Sequence, residues 1–286
     1  MECNPDDVTP ELAATISRLP INRISMGAQT FNDSRLRFLR RRHSASDIGC
    51  AVTMLREAGV NNISIDLMYG FPNETMEDWR DDIAQATALG VEHLSAYSLT
   101  YEEDTPLYRM LKEGKVTEVN EETSAAMYYE LIDRLNAVGY EHYEISNWAR
   151  PGYRSRHNSS YWTGIPYIGI GAAAHSYDNE SRQWNVADID GYIAAIERDE
   201  IPMERETLDR DTHYNDTVML RLRTIEGLCL DSLALDFGPD YRRHCLNSAK
   251  RYIYDGKLEH TYDGRLRLTR CGLFVSDMIM SDLMMV

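Results

Sequence analysis

Glu2, Gln29, Asp66 and Tyr97 stand where the ends of successive β-strands are expected. Polar side chains that leave the carboxyl ends of parallel strands converge on one face, and barrel folds place their sites there. These four residues are therefore candidates for a shared pocket, against the plainer reading of four unrelated loop residues. A second group is His157-Asn158-Ser159-Ser160-Tyr161-Trp162. An imidazole beside two large aromatic rings suits a flat, apolar ligand with a metal or a polar edge. The same imidazole also reads as a hydrogen-bonded structural residue. A third group, Gly169-Ile-Gly-Ala-Ala-Ala174, matches G-x-G-x-x-A. It lacks the long strand before it that a dinucleotide site needs. A tight turn with close backbone packing is the better reading.

The elements that must carry these residues alternate. Strands are expected at 23–26, 62–65 and 93–99, and helices at 9–19, 46–58 and 75–89. Ile48, Val52 and Leu55 make one face of the second helix, and Gly59 stops it. Thr75 and Asp78 form a capping pair, and Gly90 ends the third helix. Strands alternating with helices imply βαβ units and a parallel sheet. Glu2 follows Met1 directly, so the strand that should present it is expected to be missing, and the chain is expected to start partway through a fold. Further on, helices are expected at 106–113 and 120–138, then an aromatic stretch at 140–177 with little helical period. Helices at 212–222 and 239–254, with a hairpin turning at Asp263-Gly264, suggest a winged-helix-like end. The expected division is 1–200 and 201–286.

Composition narrows the classes. Hydrophobic residues make up 43% and charged residues 27%, as in an ordinary globular protein. The formal net charge of −16 argues against a nucleic-acid or anionic-membrane surface. The run Arg40-Arg41-Arg42 is the local exception and reads as a solvated helix end. No apolar stretch approaches the ~20 residues of a membrane span, and the first residues do not read as a signal peptide. A cytoplasmic location is expected. The five cysteines, Cys3, Cys50, Cys229, Cys245 and Cys271, are scattered and include no C-x-x-C pair, so reduced thiols are expected rather than disulfides or a metal knuckle.

Seven motifs occur in order: Glu2-x-Asn-Pro5, Asn22-Arg-Ile-Ser-Met-Gly-Ala-Gln-Thr-Phe31, Arg41-Arg42-His43, Asp66-Leu-Met-Tyr-Gly-Phe-Pro72, Leu94-Ser-Ala-Tyr-Ser-Leu-Thr100, Tyr143-Glu-Ile-Ser-Asn147 and His157-Asn158 with Tyr161-Trp162. Together they resemble the oxygen-independent coproporphyrinogen III oxidase family of radical S-adenosylmethionine (SAM) proteins, and most closely its haem-chaperone branch. The resemblance covers essentially the whole chain. It implies an α/β fold: the C-terminal half of a partial (β/α)6 barrel followed by a small helical, winged-helix-like domain. It also implies SAM, a 4Fe-4S cluster and haem as cofactors. The family's C-x-x-x-C-x-x-C cluster loop is not in this sequence, so no metal ligand and no catalytic residue is assigned here. By resemblance, Glu2, Gln29, Arg41, Asp66, Tyr97 and Thr100 contact SAM: Gln29 and Asp66 at the ribose, Arg41 at the carboxylate, Tyr97 and Thr100 at the adenine. His157 resembles the haem-associated histidine. Where the family has Gly before its arginine, this chain has Arg40, which puts the local turn in question. Three functions follow from the resemblance: a haem chaperone that passes haem to an acceptor protein, an oxidase acting on porphyrinogen propionates, or a chain with no activity of its own. Expected partners are haem or a porphyrinogen and a haem acceptor, with peripheral membrane contact through that acceptor and no nucleic acid.

Overall fold

The computed structural model describes residues 1–285. They form two compact units, one of residues 1–155 and one from residue 156 onward. The first unit is built on six strands: β1 (Glu2–Cys3), β2 (Ile24–Gln29), β3 (Ile63–Tyr69), β4 (His93–Ser98), β5 (Glu141–Glu144) and β6 (Asn147–Ala149). Their order is β1-β2-β3-β4-β6-β5. The first three junctions are parallel, as expected, and the last two are antiparallel. Helices α1 (Pro10–Ile16), α2 (Asp33–Phe38), α3 (Ala45–Glu57) and α4 (Met76–Ala88) connect the parallel strands, and α5 (Pro106–Lys112) and α6 (Glu121–Ala137) lead to the β5–β6 hairpin.

One expectation is corrected here. The strand under Glu2 is present: Glu2 and Cys3 pair in parallel with Ser25 and Met26. The start of the aromatic stretch also extends the sheet, with β6 pairing antiparallel to β4. Aromatic and β-branched residues pack well on a pleated surface, so a helical period is the wrong signal to seek there.

Strand alternation splits this sheet into two unlike faces. Ile24, Met26, Ile63, Ile65, Leu67, Leu94 and Trp148 point to one side and are fully buried. Helices cover that side. Trp79 of α4 packs on Tyr69 with ring centroids 5.2 Å apart, and Tyr128 of α6 packs edge-on to Trp148 at 6.3 Å. The opposite side carries Glu2, Ser25, Ser64 and His93 in one cross-strand row, and Asp66, Ser95 and Asn147 in the next. The apolar side provides the hydrophobic driving force for folding, which leaves the polar side available for a site.

The second unit opens with α7 (Arg156–Trp162), followed by an antiparallel sheet of β7 (His175–Tyr177), β8 (Ser181–Asn185) and β9 (Met203–Thr207), with α8 (Ile189–Ile196) between β8 and β9. Then come α9 (Arg210–Leu222), β10 (Leu228–Cys229), α10 (Leu230–Phe237) and α11 (Pro239–Tyr254). The chain closes with β11 (Leu258–His260), β12 (Arg265–Leu268), α12 (Arg270–Leu273) and α13 (Ser276–Leu283). The β11–β12 hairpin turns at Asp263-Gly264 as expected, with Gly264 at φ 75°, and gains β10 as a third strand. Helix α7 lies within the stretch expected to lack helical period, because seven residues make too few turns to show one. The units part at residues 155/156 rather than near 200. A cut at 200 would separate β8 from β9, which pair from Ser181↔Thr207 to Asn185↔Met203.

Candidate functional site

The polar face of the first sheet is assembled by three local devices. The first is a bulge. Between Met26 and Gln29 strand β2 carries one residue more than β3, and Gln29 sits at φ 68°. Asp82 of α4 pins the turn beyond it, accepting hydrogen bonds from Thr30 Oγ1 at 2.6 Å and from the Phe31 N–H at 2.8 Å. Bulges re-aim side chains, and here the Gln29 amide lies over Gly27. A Cβ at Gly27 would stand 2.8 Å from Gln29 Nε2 and 3.7–3.8 Å from the Arg41 guanidinium nitrogens. A methyl at residue 27 would push the end of the flexible Gln29 side chain aside and would stand at ordinary contact distance from Arg41.

The second device is the end of α2. The Arg40 N–H bonds Arg37 O at 3.0 Å and the Arg41 N–H bonds Leu36 O at 2.9 Å, the paired bonds of a Schellman stop. Arg40 takes the left-handed position, φ 57°, that glycine usually fills. The arginine found where the family has glycine therefore keeps the turn, at a cost of ~1 kcal/mol of backbone strain. The turn delivers Arg41 to Asn4, whose Oδ1 accepts from Nη1 at 2.9 Å. The neighbouring Arg42 pairs with Asp6 and Asp7 at the surface, and Arg40 is exposed, so only Arg41 of the basic run reaches the site.

The third device is strand alternation. Asp66 lies on the polar face between Glu2, Arg23, Arg41 and Ser95. Burial pushes its carboxyl above the usual range; the Ser95 hydrogen bond lowers it, the Glu2 charge raises it, and Arg23 and Arg41 pull it back. Glu2, Arg41 and Asp66 therefore share one electrostatic environment, and Gln29 adjoins Arg41. Tyr97 continues the same face two residues beyond Ser95 and is 45% exposed. Thr100 lies exposed past the end of β4, outside this hydrogen-bonded group.

Several members of this face were not singled out from sequence. Ser64 Oγ and His93 Nδ1 are 2.7 Å apart, and His93 Nε2 and Tyr143 Oη are also 2.7 Å apart. The Ser155 N–H donates to the same Tyr143 oxygen at 3.3 Å. In the tautomer with Nδ1 protonated, Tyr143 gives its proton to Nε2 and Nδ1–H donates to Ser64; in the other tautomer both directions reverse. Burial, with Arg23 adding, pushes the His93 pKa down to about 3, so the ring stays neutral. The alternation His93, Ser95, Tyr97 along one strand was the signal that could have found this chain. Glu74 was also missed. It accepts the Gly70 and Phe71 N–H groups at 2.6 and 3.0 Å, lies 3.5 Å from Arg35, and burial pushes it up to about 7.

In the second unit His157 is the second residue of α7 and is exposed. Its Nε2 lies 3.3 Å from Tyr161 Oη, and the two rings meet edge-on at 5.0 Å. Tyr161 in turn meets Tyr167 edge-on at 4.7 Å, and Arg223 lies over the Trp162 ring at 4.9 Å. The Gly169 turn is a packing device, as expected. A Cβ there would lie 2.1 Å from the His175 carbonyl oxygen. Among the described residues no three His, Cys, Asp or Glu side chains are grouped to hold a metal.

A sheet of βα units with one polar side, followed by a helical domain with a β wing, defines a radical SAM fold with a HemN-type ending. The Radical SAM superfamily model matches residues 1–86, and the HemN C-terminal domain model matches residues 208–275. The chain is 34% identical over 285 residues to heme chaperone HemW of Mycobacterium tuberculosis (strain CDC 1551 / Oshkosh), covering 99% of this chain and 70% of that protein. It is 35% identical over 245 residues to heme chaperone HemW of Bacillus subtilis (strain 168), covering 83% of this chain and 63% of that one. The chain therefore belongs to the heme chaperone HemW family, and it spans about two thirds of the length of these relatives. Coproporphyrinogen III oxidase (HemN) from Escherichia coli shares the fold, with a TM-score of 0.81 at 19% identity over 99% of this chain and 68% of that chain. Among the described residues no helix is long and apolar enough to cross a membrane.

Proposed function

We propose that this chain binds haem through His157 and passes it to an acceptor protein, with the polar face of the first unit serving as one wall of a SAM site. The observation that carries the reading is the exposed His157 imidazole, braced by Tyr161, in a chain whose relatives are named haem chaperones. An exposed imidazole with one ring nitrogen free of tight bonding is a ready axial ligand for haem iron.

The residues of the polar face fit SAM. Bare Gly27 keeps space open beside Gln29 and Arg41, and a Cβ would fill it. In this reading Gln29 and Asp66 accept from ribose hydroxyls, Arg41 takes the methionine carboxylate as a planar fork, Glu2 contacts the bound molecule, and Tyr97 and Thr100 stand on the adenine side. Bound SAM supplies a nucleoside and a sulfonium whose cleavage requires an electron from a 4Fe-4S cluster. The residues present do not fit that cluster: the five cysteines are dispersed, and no three potential ligands meet among the described residues. No chemistry of this chain is derived through it. The location is taken as cytoplasmic, with peripheral membrane contact through the acceptor.

Titration of the whole chain with ferric haem tests the reading. The expected result is saturable binding with a Soret shift, lost in His157→Ala. Equal binding by both proteins would remove His157 from the role. Absence of binding by the wild-type chain would overturn the chaperone reading.

A further inference from the structure

Helix α8 carries an apolar stripe on its solvent side. Tyr192 and Ala195 turn inward: Ala195 is buried, and the Tyr192 hydroxyl accepts the Gly171 N–H at 3.2 Å. Ile189, Ile193 and Ile196, spaced i, i+4 and i+7, share a different face and stay exposed. The returning chain adds two more. The Val186 N–H bonds Pro202 O at 2.9 Å and Met203 pairs with Asn185, which holds Ile201 and Met203 beside the start of α8. These five side chains are 41–69% exposed. Single exposed apolar residues are ordinary, but a grouped set marks a contact surface. Helix formation does not explain the stripe, because β-branched isoleucine is a poorer helix former than alanine or leucine. Its surroundings are strongly acidic. Residues 188–206 carry seven Asp or Glu against two Arg, a far larger share of the net charge of −16 than of the chain's length. Both arginines are engaged, Arg198 with Glu200 and Arg205 with Asp178, each at 2.8 Å. Asp190 and Glu197, again seven residues apart, run along the flank of the isoleucine stripe.

We propose that this face docks a basic amphipathic helix of another protein, with the helix's apolar side on the isoleucines and its Lys or Arg side chains against the flanking carboxylates. Charge chooses among the occupants. A two-fold contact repeats the same patch on both sides, so a second copy would bring one acidic rim against another. An anionic lipid surface attracts basic segments and would repel this one. A basic helix meets both features at once. Its i, i+3 and i+4 anchors cover the apolar stripe, and opposite charge steers and orients the encounter. The inference stands apart from haem and SAM binding.

The test uses the whole chain and fluorescence anisotropy with three labelled peptides of about 18 residues, long enough to form a helix. One is amphipathic Leu/Lys, one is amphipathic Leu/Glu, and one is Lys/Ser with the charge of the first. The Leu/Lys peptide is expected to bind saturably, and the other two at least about tenfold more weakly. Raising salt from about 0.05 to 0.5 M should weaken the Leu/Lys complex about fivefold or more, because exposed charges are screened. Ile193→Ser and Ile189→Ser should each weaken it about tenfold with an unchanged unfolding midpoint; two exposed positions guard against one variant that fails to fold. Glu197→Lys should weaken it through charge alone. Leu235→Ser removes an equally exposed side chain on α10, outside the patch, and should bind like wild type. Equal binding of the Lys/Ser peptide, or wild-type affinity in both serine variants, would overturn the proposal. Self-association of the chain in sedimentation that Ile193→Ser abolishes would give the face to a second copy and overturn the basic partner. Binding to phosphatidylglycerol-containing vesicles that Ile193→Ser abolishes would overturn it in favour of a lipid surface.

Discussion

The polar face of the first unit and helix α7 of the second both carry candidate site residues, but they hold them in opposite ways. On the sheet, Asn4, Arg41, Gln29, Asp66 and His93 are at least half-buried, and each is placed by a partner, a bulge or a turn. On α7, His157 is exposed and meets one tyrosine hydroxyl at 3.3 Å. The polar face is therefore held in one arrangement, whereas α7 presents a ring with few constraints. Substitutions on the face should cost stability as well as binding. Substitution of His157 should cost binding alone.

His93 gives the largest expected effect. His93→Leu strands both the Ser64 and Tyr143 hydroxyls and should destabilise the chain by about 3 kcal/mol in urea unfolding. Its titration adds a pH signature. The folded pKa of about 3 lies below the usual 6.5, so between these values the unfolded chain binds more protons. Stability from this residue is full above pH 6.5 and is lost as pH falls toward 3, by up to about 4 kcal/mol. A wild-type curve no steeper in that window than that of His93→Leu would refute the buried neutral ring.

Glu74 should act with the opposite sign. Its folded pKa of about 7 lies above the usual 4.5, so the folded chain binds more protons between them. Stability from this group is present below pH 4.5 and declines as pH rises through 7, by up to about 3 kcal/mol. Glu74→Gln keeps an acceptor for the Gly70 and Phe71 N–H groups and should remove this slope. An unaltered slope would show that Glu74 is ionised in the fold.

Gly27→Ala sharpens the contrast at the face itself. The added methyl must displace only the end of the flexible Gln29 side chain, which should change stability by about 0.5–1 kcal/mol at most while weakening SAM binding in calorimetry. Arg40→Gly should stabilise by about 0.5–1 kcal/mol, because glycine takes the left-handed position without strain. At the small end, His157→Ala should leave the unfolding free energy within about 0.5 kcal/mol of wild type. A larger loss would show α7 to be as structurally committed as the sheet, and the contrast would fail.

Much of this arrangement could be read from the chain. The three central parallel strands, their connecting helices and the β11–β12 hairpin follow from local periodicity, caps and an Asp-Gly turn. Placing Glu2 and Asp66 on one face follows from their positions in successive strands. The two-residue strand β1 did not show, because two residues carry no pattern. Helix α7 was hidden for the same reason of length.

The sequence by itself determined which side chains are available and which strands carry them, because alternation along a strand is a local property. Only the tertiary structure decided how those side chains meet. The Asp82 bonds beyond the Gln29 bulge, the meeting of Arg41 with Asn4 and the Ser64–His93–Tyr143 chain each depend on groups 29 to 52 residues away. Such contacts follow from register and burial across the sheet, which no short window of sequence specifies.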